Sequence, residues 1–125
     1  MDEAPSSRLK RYNDTYGHLA GDAVLRQLGQ VLRHHVRASD CLGRLGGGEF
    51  GWCLLIRSAD QLTDRVATVV TTARTVGITV CAGAAWWAPG RPPLTVQALA
   101  RAADAALYQA KASGTGRWVV RPSDA

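Results

Sequence analysis

The sequence predicts an α/β domain, an α+β sandwich in which helices cover one small sheet. Three observations predict it. Helix-period and strand-period apolar patterns alternate in the order α-β-β-α-β-α-β, with no internal repeat or low-complexity tract. A triple glycine, Gly46-Gly47-Gly48, separates two short strand-like stretches and signals a tight hairpin turn. The 125 residues, 46% of them hydrophobic, suit a single small core.

Each element has its own local reason. Residues 1–8 are polar, with Pro5 followed by two serines, and read as irregular. From 21 to 36, Val24, Leu25, Leu28, Val31, Leu32 and Val36 recur at spacings of three and four, one stripe of a helix. Residues 40–45 and 49–56 read as the two hairpin strands. Ser58 or Asp60 caps a helix to 74 that turns Leu62, Val66, Val69, Val70 and Ala73 inward. Residues 78–87 read as a strand with small residues in its middle, ended by the proline-rich loop 88–93. Thr95 caps an alanine-rich helix to 112 with Leu99, Ala103, Ala106, Leu107 and Ala110 on its buried face, and Gly114 stops it. Residues 117–120 form a last short strand. The expected organisation is an irregular start at 1–8, one domain at 9–121 and a tail at 122–125.

Composition narrows the function classes. The net charge of +5 is carried mostly by arginine, the only lysines being Lys10 and Lys111. Arginine suits two-point contacts with phosphate or carboxylate. The arginines are scattered without interleaved aromatics, so no polymeric nucleic-acid partner is expected. No apolar run approaches the roughly 18 residues that span a bilayer, and the first residues lack the apolar core of a signal peptide. No membrane partner and a cytoplasmic location are therefore expected. Cys41, Cys53 and Cys81 are odd in number and widely spaced, which excludes a disulfide framework or a zinc site and reads as three small core hydrophobes. His34 and His35 are adjacent on a helix and point about 100° apart, so they read as a solvated edge. Trp86 and Trp87 face opposite sides of a strand, one toward the core and the other toward a contact surface.

Four motifs carry more. The first helix is entered through Leu9-Lys10-Arg11-Tyr12-Asn13-Asp14-Thr15-Tyr16-Gly17-His18-Leu19-Ala20-Gly21-Asp22. Then come Arg37-Ala38-Ser39-Asp40 and Arg44-Leu45-Gly46-Gly47-Gly48-Glu49-Phe50, and near the end Ala103-Asp104-Ala105-Ala106-Leu107-Tyr108-Gln109-Ala110-Lys111. In order and spacing these resemble the GGDEF family of diguanylate cyclases: F-K-x-x-N-D-x-x-G-H-x-x-G-D, R-x-x-D, R-x-G-G-D-E-F and A-D-x-A-L-Y-x-A-K. The resemblance implies a nucleotide-cyclase-like palm, a central and mostly antiparallel sheet flanked by helices, in which this chain lacks the first strand. That loss leaves a gap flanked by unpaired backbone groups.

The resemblance also implies a chemistry, the condensation of two GTP molecules into cyclic di-GMP with divalent ions on two facing domains. Asn13 and Asp22 stand where the family reads guanine, and Lys10 and Lys111 where it touches phosphate. Arg37 and Asp40 stand at the inhibitory site that binds cyclic di-GMP. The departures fall on the metal. The family's metal ligands are a first-strand aspartate and the third residue of the GGDEF turn; here those places hold Pro5 and Gly48, which have no side-chain oxygen. Magnesium needs oxygen donors in near-octahedral geometry. Glu49 is expected to point to the opposite face of its strand, unless the glycine turn shifts register. Thr115 stands where the family has a phosphate-binding arginine, and Arg117 comes two residues late.

The expectation is thus a degenerate copy with only a motif remnant at Gly46, Gly47, Gly48, Glu49 and Phe50. It binds cyclic di-GMP at Arg37 and Asp40, or GTP weakly at Lys10, Asn13, Asp22 and Lys111. No metal and no other cofactor is expected, or Mg2+ if the chain is an active cyclase. Expected partners are these nucleotides, a second copy, or another GGDEF- or EAL-type signalling protein. Two other readings stand beside it: a live diguanylate cyclase, and a truncated relic or interaction module. The bland readings make Asp22 a helix-dipole carboxylate, Asn13 a turn residue, and Arg37 with Asp40 a surface ion pair.

Overall fold

The computed structural model describes residues 18–46 and 48–123. Pro5, Lys10, Asn13, Gly47 and the stretch 1–8 lie outside the described residues. Within them the order is α1 (His18–His35), β1 (Cys41–Gly46), β2 (Glu49–Cys53), α2 (Ala59–Thr75), β3 (Ala82–Trp86), α3 (Val96–Ala112) and β4 (Trp118–Pro122).

The helices begin where side-chain oxygens are available to cap them. The Ser58 hydroxyl accepts from the Gln61 N–H at the start of α2, and the Thr95 hydroxyl accepts from the Ala98 N–H at the start of α3. Helix α3 ends at Ser113, and Gly114 turns the chain away with φ +127°.

The strands form two separate pairs. β1 and β2 are antiparallel, from Cys41 opposite Cys53 to Arg44 opposite Phe50. Between Arg44 and Gly46 the register slips by one residue, so Gly46 faces Glu49. β3 and β4 are parallel, from Ala82 opposite Trp118 to Trp86 opposite Pro122. Parallel neighbours need a crossover, and α3 supplies it, packing across both strands. At Gly83 the helix comes so close that a Cβ there would sit 2.0 Å from the Leu107 nitrogen and 2.6 Å from the Ala103 carbonyl oxygen. Only glycine allows that approach.

The core joins α1 to α2: Leu28, Val31 and Leu32 meet Val69, Ala73 and Ile78, with Val24, Leu42, Phe50, Trp52 and Val80 packed against them. Burying such side chains contributes roughly 1.5–3 kcal/mol each. Between the half-sheets lies a cleft of about 400 Å³ whose lining includes Phe50 and Trp52 of β2 and Ala82, Gly83 and Ala84 of β3. None of the helices described is long and apolar enough to cross a membrane.

Several local expectations are corrected. Residues 78–81 are apolar enough to read as strand but pair with nothing described, so β3 starts at Ala82. The second hairpin strand stops at Cys53 rather than 56, leaving Leu55 77% exposed. The last strand runs on to Pro122, and Ser123 is buried with its N–H on the Trp86 carbonyl at 2.8 Å. Cys41 and Cys53 are exposed rather than core, because they sit opposite each other at the open end of the hairpin; Cys81 is half-buried. His34 is exposed, whereas His35 is half-buried, its Nδ1 within 2.8 Å of the Val31 carbonyl. Trp86 is half-buried under the Arg91 guanidinium, and Trp87 is 39% exposed.

Candidate functional site

Three places hold the residues singled out by sequence. The first is the corner where α1 ends and β1 begins. Arg37 and Asp40 close a tight turn, with the Asp40 N–H donating to the Arg37 carbonyl at 2.9 Å. The Arg37 N–H donates back to Asp40 Oδ2 at 2.9 Å, and its Nε reaches Oδ1 at 3.2 Å. Two further donors converge from elsewhere in the fold: Trp52 Nε1 at 3.2 Å and Arg65 Nη2 at 3.1 Å, both on Oδ2. The Asp40 side chain is 0% exposed. Five donor contacts occupy a carboxylate with about four lone-pair sites, so it is fully used.

The pair is therefore no loose surface contact. Burial disfavours the charge on Asp40. The Arg37 N–H, the Arg37 and Trp52 side-chain hydrogen bonds and the Arg37 charge outweigh that penalty and hold the carboxyl below its ordinary value. The Arg37 side chain stays 38% exposed and also donates to the Leu55 carbonyl. Arg65 lies with its guanidinium 4.9 Å from the centre of the Trp52 ring and donates to the His35 carbonyl at 2.5 Å. The result is one carboxylate between two guanidiniums, a corner with a surplus positive charge whose outward face is Arg37.

The second place is the glycine turn. Gly48 and Glu49 both line the apolar cleft, together with Asp104 and Lys111 of α3. The one-residue slip falls on β1 between Arg44 and Gly46, so the alternation of β2 runs unbroken through Glu49, with Phe50 and Trp52 on the face packed against the core. Lys111, expected on phosphate, is only 9% exposed. Among the described residues no group of three or more His, Cys, Asp or Glu side chains could hold a metal ion. Glu49 and Asp104 are the carboxylates among the described residues of that lining, too few oxygen donors for a near-octahedral divalent ion.

The third place is a cavity of about 540 Å³ along α1. Asp22 lines it with Arg26, Arg33 and Arg44, between the apolar walls of Leu25, Leu42 and Phe50. The cavity thus sets one carboxylate among several guanidiniums, a predominantly polar lining. The three places are distinct: Asp22, Lys111 and Arg37 do not share a cavity.

Sequence reading missed Arg65 and Trp52 as parts of the Asp40 corner, and Arg26 and Arg33 beside Asp22. A signal for Arg65 existed. It sits three residues after Leu62 and four before Val69, on the buried stripe of α2, where an arginine needs a partner.

Comparison with known proteins bears on the family and the fold. The family model described as "Diguanylate cyclase, GGDEF domain" matches residues 6–117. The chain is 33% identical over 120 residues to the diguanylate cyclase DgcS of Shewanella oneidensis, covering 92% of this chain and 40% of that one. It spans well under half the length of the curated relatives it matches. A solved microbial GGDEF domain, described in an interaction with bis-(3,5)-cyclic di-GMP, superposes with a TM-score of 0.72 at 33% identity, covering 90% of this chain and 71% of that one. The active GGEEF domain of a diguanylate cyclase from Vibrio cholerae superposes with a TM-score of 0.76 at 26% identity, covering 90% and 75%.

Proposed function

Because the chain belongs to the GGDEF family of diguanylate cyclases, we propose that it serves cyclic di-GMP signalling as a nucleotide receptor that has lost the cyclase reaction. The observation that carries this reading is the Asp40 corner, where a buried carboxylate holds two arginines in place, while the glycine turn at the far end of the hairpin has Gly48 at its third place. The related domain described with cyclic di-GMP supports the ligand. The name of the active Vibrio domain spells its turn GGEEF, with a carboxylate at the third place where this chain has Gly48.

In this reading Arg37 touches the ligand, through phosphate or the Hoogsteen edge of guanine. Asp40, spent on its own partners, positions Arg37 and Arg65 rather than accepting from the base. Asp22 and its arginines supply a weaker place for GTP. The protein works in the cytosol, alone, as a pair, or with another GGDEF- or EAL-type protein, and needs no divalent ion.

Calorimetry with cyclic di-GMP tests it. The wild type is expected to release heat, and Arg37→Ala to lose roughly one to two orders of magnitude in affinity, the worth of a charge-assisted contact. No heat from the wild type at high ligand concentration ends the receptor reading. One observation favours the alternative of a live cyclase: Glu49, next to Gly48, is among the residues that line the cleft. Turnover of GTP with magnesium, abolished in Glu49→Gln, would establish that alternative.

A further inference from the structure

Cys41 and Cys53 have no part in the nucleotide reading above, yet the hairpin sets them face to face. Cys41 opens β1, Cys53 closes β2, and the antiparallel register places them directly opposite each other. On the next rung Leu42 stands opposite Trp52, and both pack against the core. Side chains alternate along a strand, so both thiols turn to the other face, where both are exposed and free. The following rung on that outer face is Gly43 opposite Gly51, which carries no side chain. A Cβ built on Gly43 would meet nothing within 4 Å, so the approach to the thiols along β1 is open.

Opposed residues of an antiparallel pair have Cα atoms about 4.5 or 5.5 Å apart, according to whether they exchange hydrogen bonds. A disulfide accepts Cα separations of about 4.4–6.8 Å, so either kind of rung is within bridging range. The Cβ atoms fit less well, at about 4.5–5.5 Å across the strands against about 3.5–4.5 Å in a disulfide. Closing the bond therefore draws the strands together at the open end of the hairpin and strains the link. Strained, exposed disulfides are the labile ones, and in a reducing compartment such bonds are transient and redox-sensing. The pull has a defined target. Cys41 follows Asp40, and Cys53 follows Trp52, whose Nε1 donates to Asp40 Oδ2 at 3.2 Å. The cross-link would lie one residue along each strand from that hydrogen bond.

We infer that Cys41 and Cys53 form a reversible redox-modification site, a thiol pair that closes to a cross-strand disulfide in exchange with a low-molecular-weight disulfide and so clamps Trp52 onto Asp40. The step balances with oxidised glutathione as the co-reactant. One cysteine thiolate attacks it and expels a glutathione thiolate, leaving a mixed disulfide. The facing thiolate attacks that bond at the protein sulfur and expels the second glutathione thiolate. The cysteine pair gives up two electrons and two protons, and the small disulfide leaves as two molecules of reduced glutathione. Cys81 takes no part: it is half-buried and its thiol donates to the Gly114 carbonyl at 3.3 Å, away from the hairpin.

The test uses the full 125-residue chain, fully reduced, freed of reductant and then incubated with oxidised glutathione. Mass spectrometry is expected to find the protein two hydrogens lighter, with one thiol left to alkylate and a linked peptide joining Cys41 to Cys53. Exchange of the Trp52 indole N–H is expected to slow by about tenfold or more, and the thermal midpoint to rise. Excess reduced glutathione is expected to restore all three thiols and the original exchange. Cys53→Ser should stop at a mixed disulfide on Cys41 with no slowing at Trp52, and Cys81→Ser should behave as the wild type. Glutathione held on both hairpin cysteines at equilibrium overturns the inference, as does a link to Cys81 or between two chains as the main product. A cross-link that excess reduced glutathione does not open overturns reversibility. Unchanged exchange at Trp52 in the cross-linked protein overturns the clamp. None of these outcomes bears on the Arg37 reading, which calorimetry on the reduced protein decides.

Discussion

The half-sheet β3–β4 meets α3 through main-chain contact, whereas the half-sheet β1–β2 meets α2 through a buried carboxylate. At Gly83 there is no room for a methyl group. At Asp40 the contact is made by hydrogen bonds to both carboxylate oxygens, with the buried Arg65 Nε left without a partner among the described residues. The first kind of contact is enforced by volume, is indifferent to pH and tolerates almost no substitution. The second is enforced by charge and hydrogen bonding, tolerates changes of shape and fails when protons or partners change. One small domain thus has a steric half and an electrostatic half, with an apolar cleft between them.

The largest expected break is on the steric side. Gly83→Ala puts a Cβ 2.0 Å from the Leu107 nitrogen and 2.4 Å from its Cα. These are backbone atoms of a helix and cannot swing aside, so α3 must lift off the strands. Overpacking typically costs 1–3 kcal/mol, and a backbone clash belongs at about 3 kcal/mol or above. Urea denaturation should show the loss. A midpoint within error of the wild type would mean that α3 does not press on β3 in solution.

Next comes the electrostatic side. Asp40→Asn leaves two guanidiniums facing a neutral amide. Breaking a fully buried pair costs about 3–5 kcal/mol, and the partial exposure of Arg37 and Arg65 brings the expected loss to about 2 kcal/mol. The same residue gives a pH signature. The folded carboxyl binds its proton below the ordinary value of 3.8. Between that value and the lower folded one, the unfolded chain holds more protons. Stability from Asp40 is thus complete above the unfolded value and is lost as pH falls through the folded one. Asp40→Asn should flatten this acid limb, and Gly83→Ala should shift the whole curve without changing its shape. An acid limb unchanged in Asp40→Asn would assign acid sensitivity to other carboxylates.

How far each half was legible in the sequence follows from the range of the forces. The capped starts of α2 and α3 were legible because Ser58 and Thr95 act within three residues. Arg37 with Asp40 was legible as a local pair, but its burial was not, since it is made by Trp52 and by Arg65, 25 residues away. The register slip between Arg44 and Gly46 was weighed but not expected, because three glycines leave the register of a turn open. The short start of β3 was misread for the same reason that the cleft exists: residues 78–81 have a strand's composition without a neighbour to pair with. Of the candidate ligand residues, Asp22 lines a cavity along α1, and Lys111 is 9% exposed in the cleft rather than displayed.

A smaller effect checks that the two halves share a framework independent of their contrast. Ser58→Ala removes the acceptor of the Gln61 N–H at the start of α2. The expected cost is about 1 kcal/mol, typical of an N-cap. It should add to Asp40→Asn, since the cap lies at the end of α2 and Arg65 well inside it. A clear departure from additivity in a double-mutant cycle would show that the Asp40 corner and the helix start are one unit.

The smallest expected effect sharpens the comparison most, because it repeats the first substitution in the other half. Gly43 lies in the middle of β1 opposite Gly51, and a Cβ built on it meets nothing within 4 Å. Its φ lies outside the left-handed region, so alanine fits its backbone. Gly43→Ala therefore removes freedom from the unfolded chain without adding a clash, and should stabilise by about 0.5 kcal/mol. The same atom added at Gly83 and at Gly43 then has opposite signs. If Gly43→Ala destabilises as much as Gly83→Ala, the hairpin is also enforced by volume and the division into a steric and an electrostatic half is wrong.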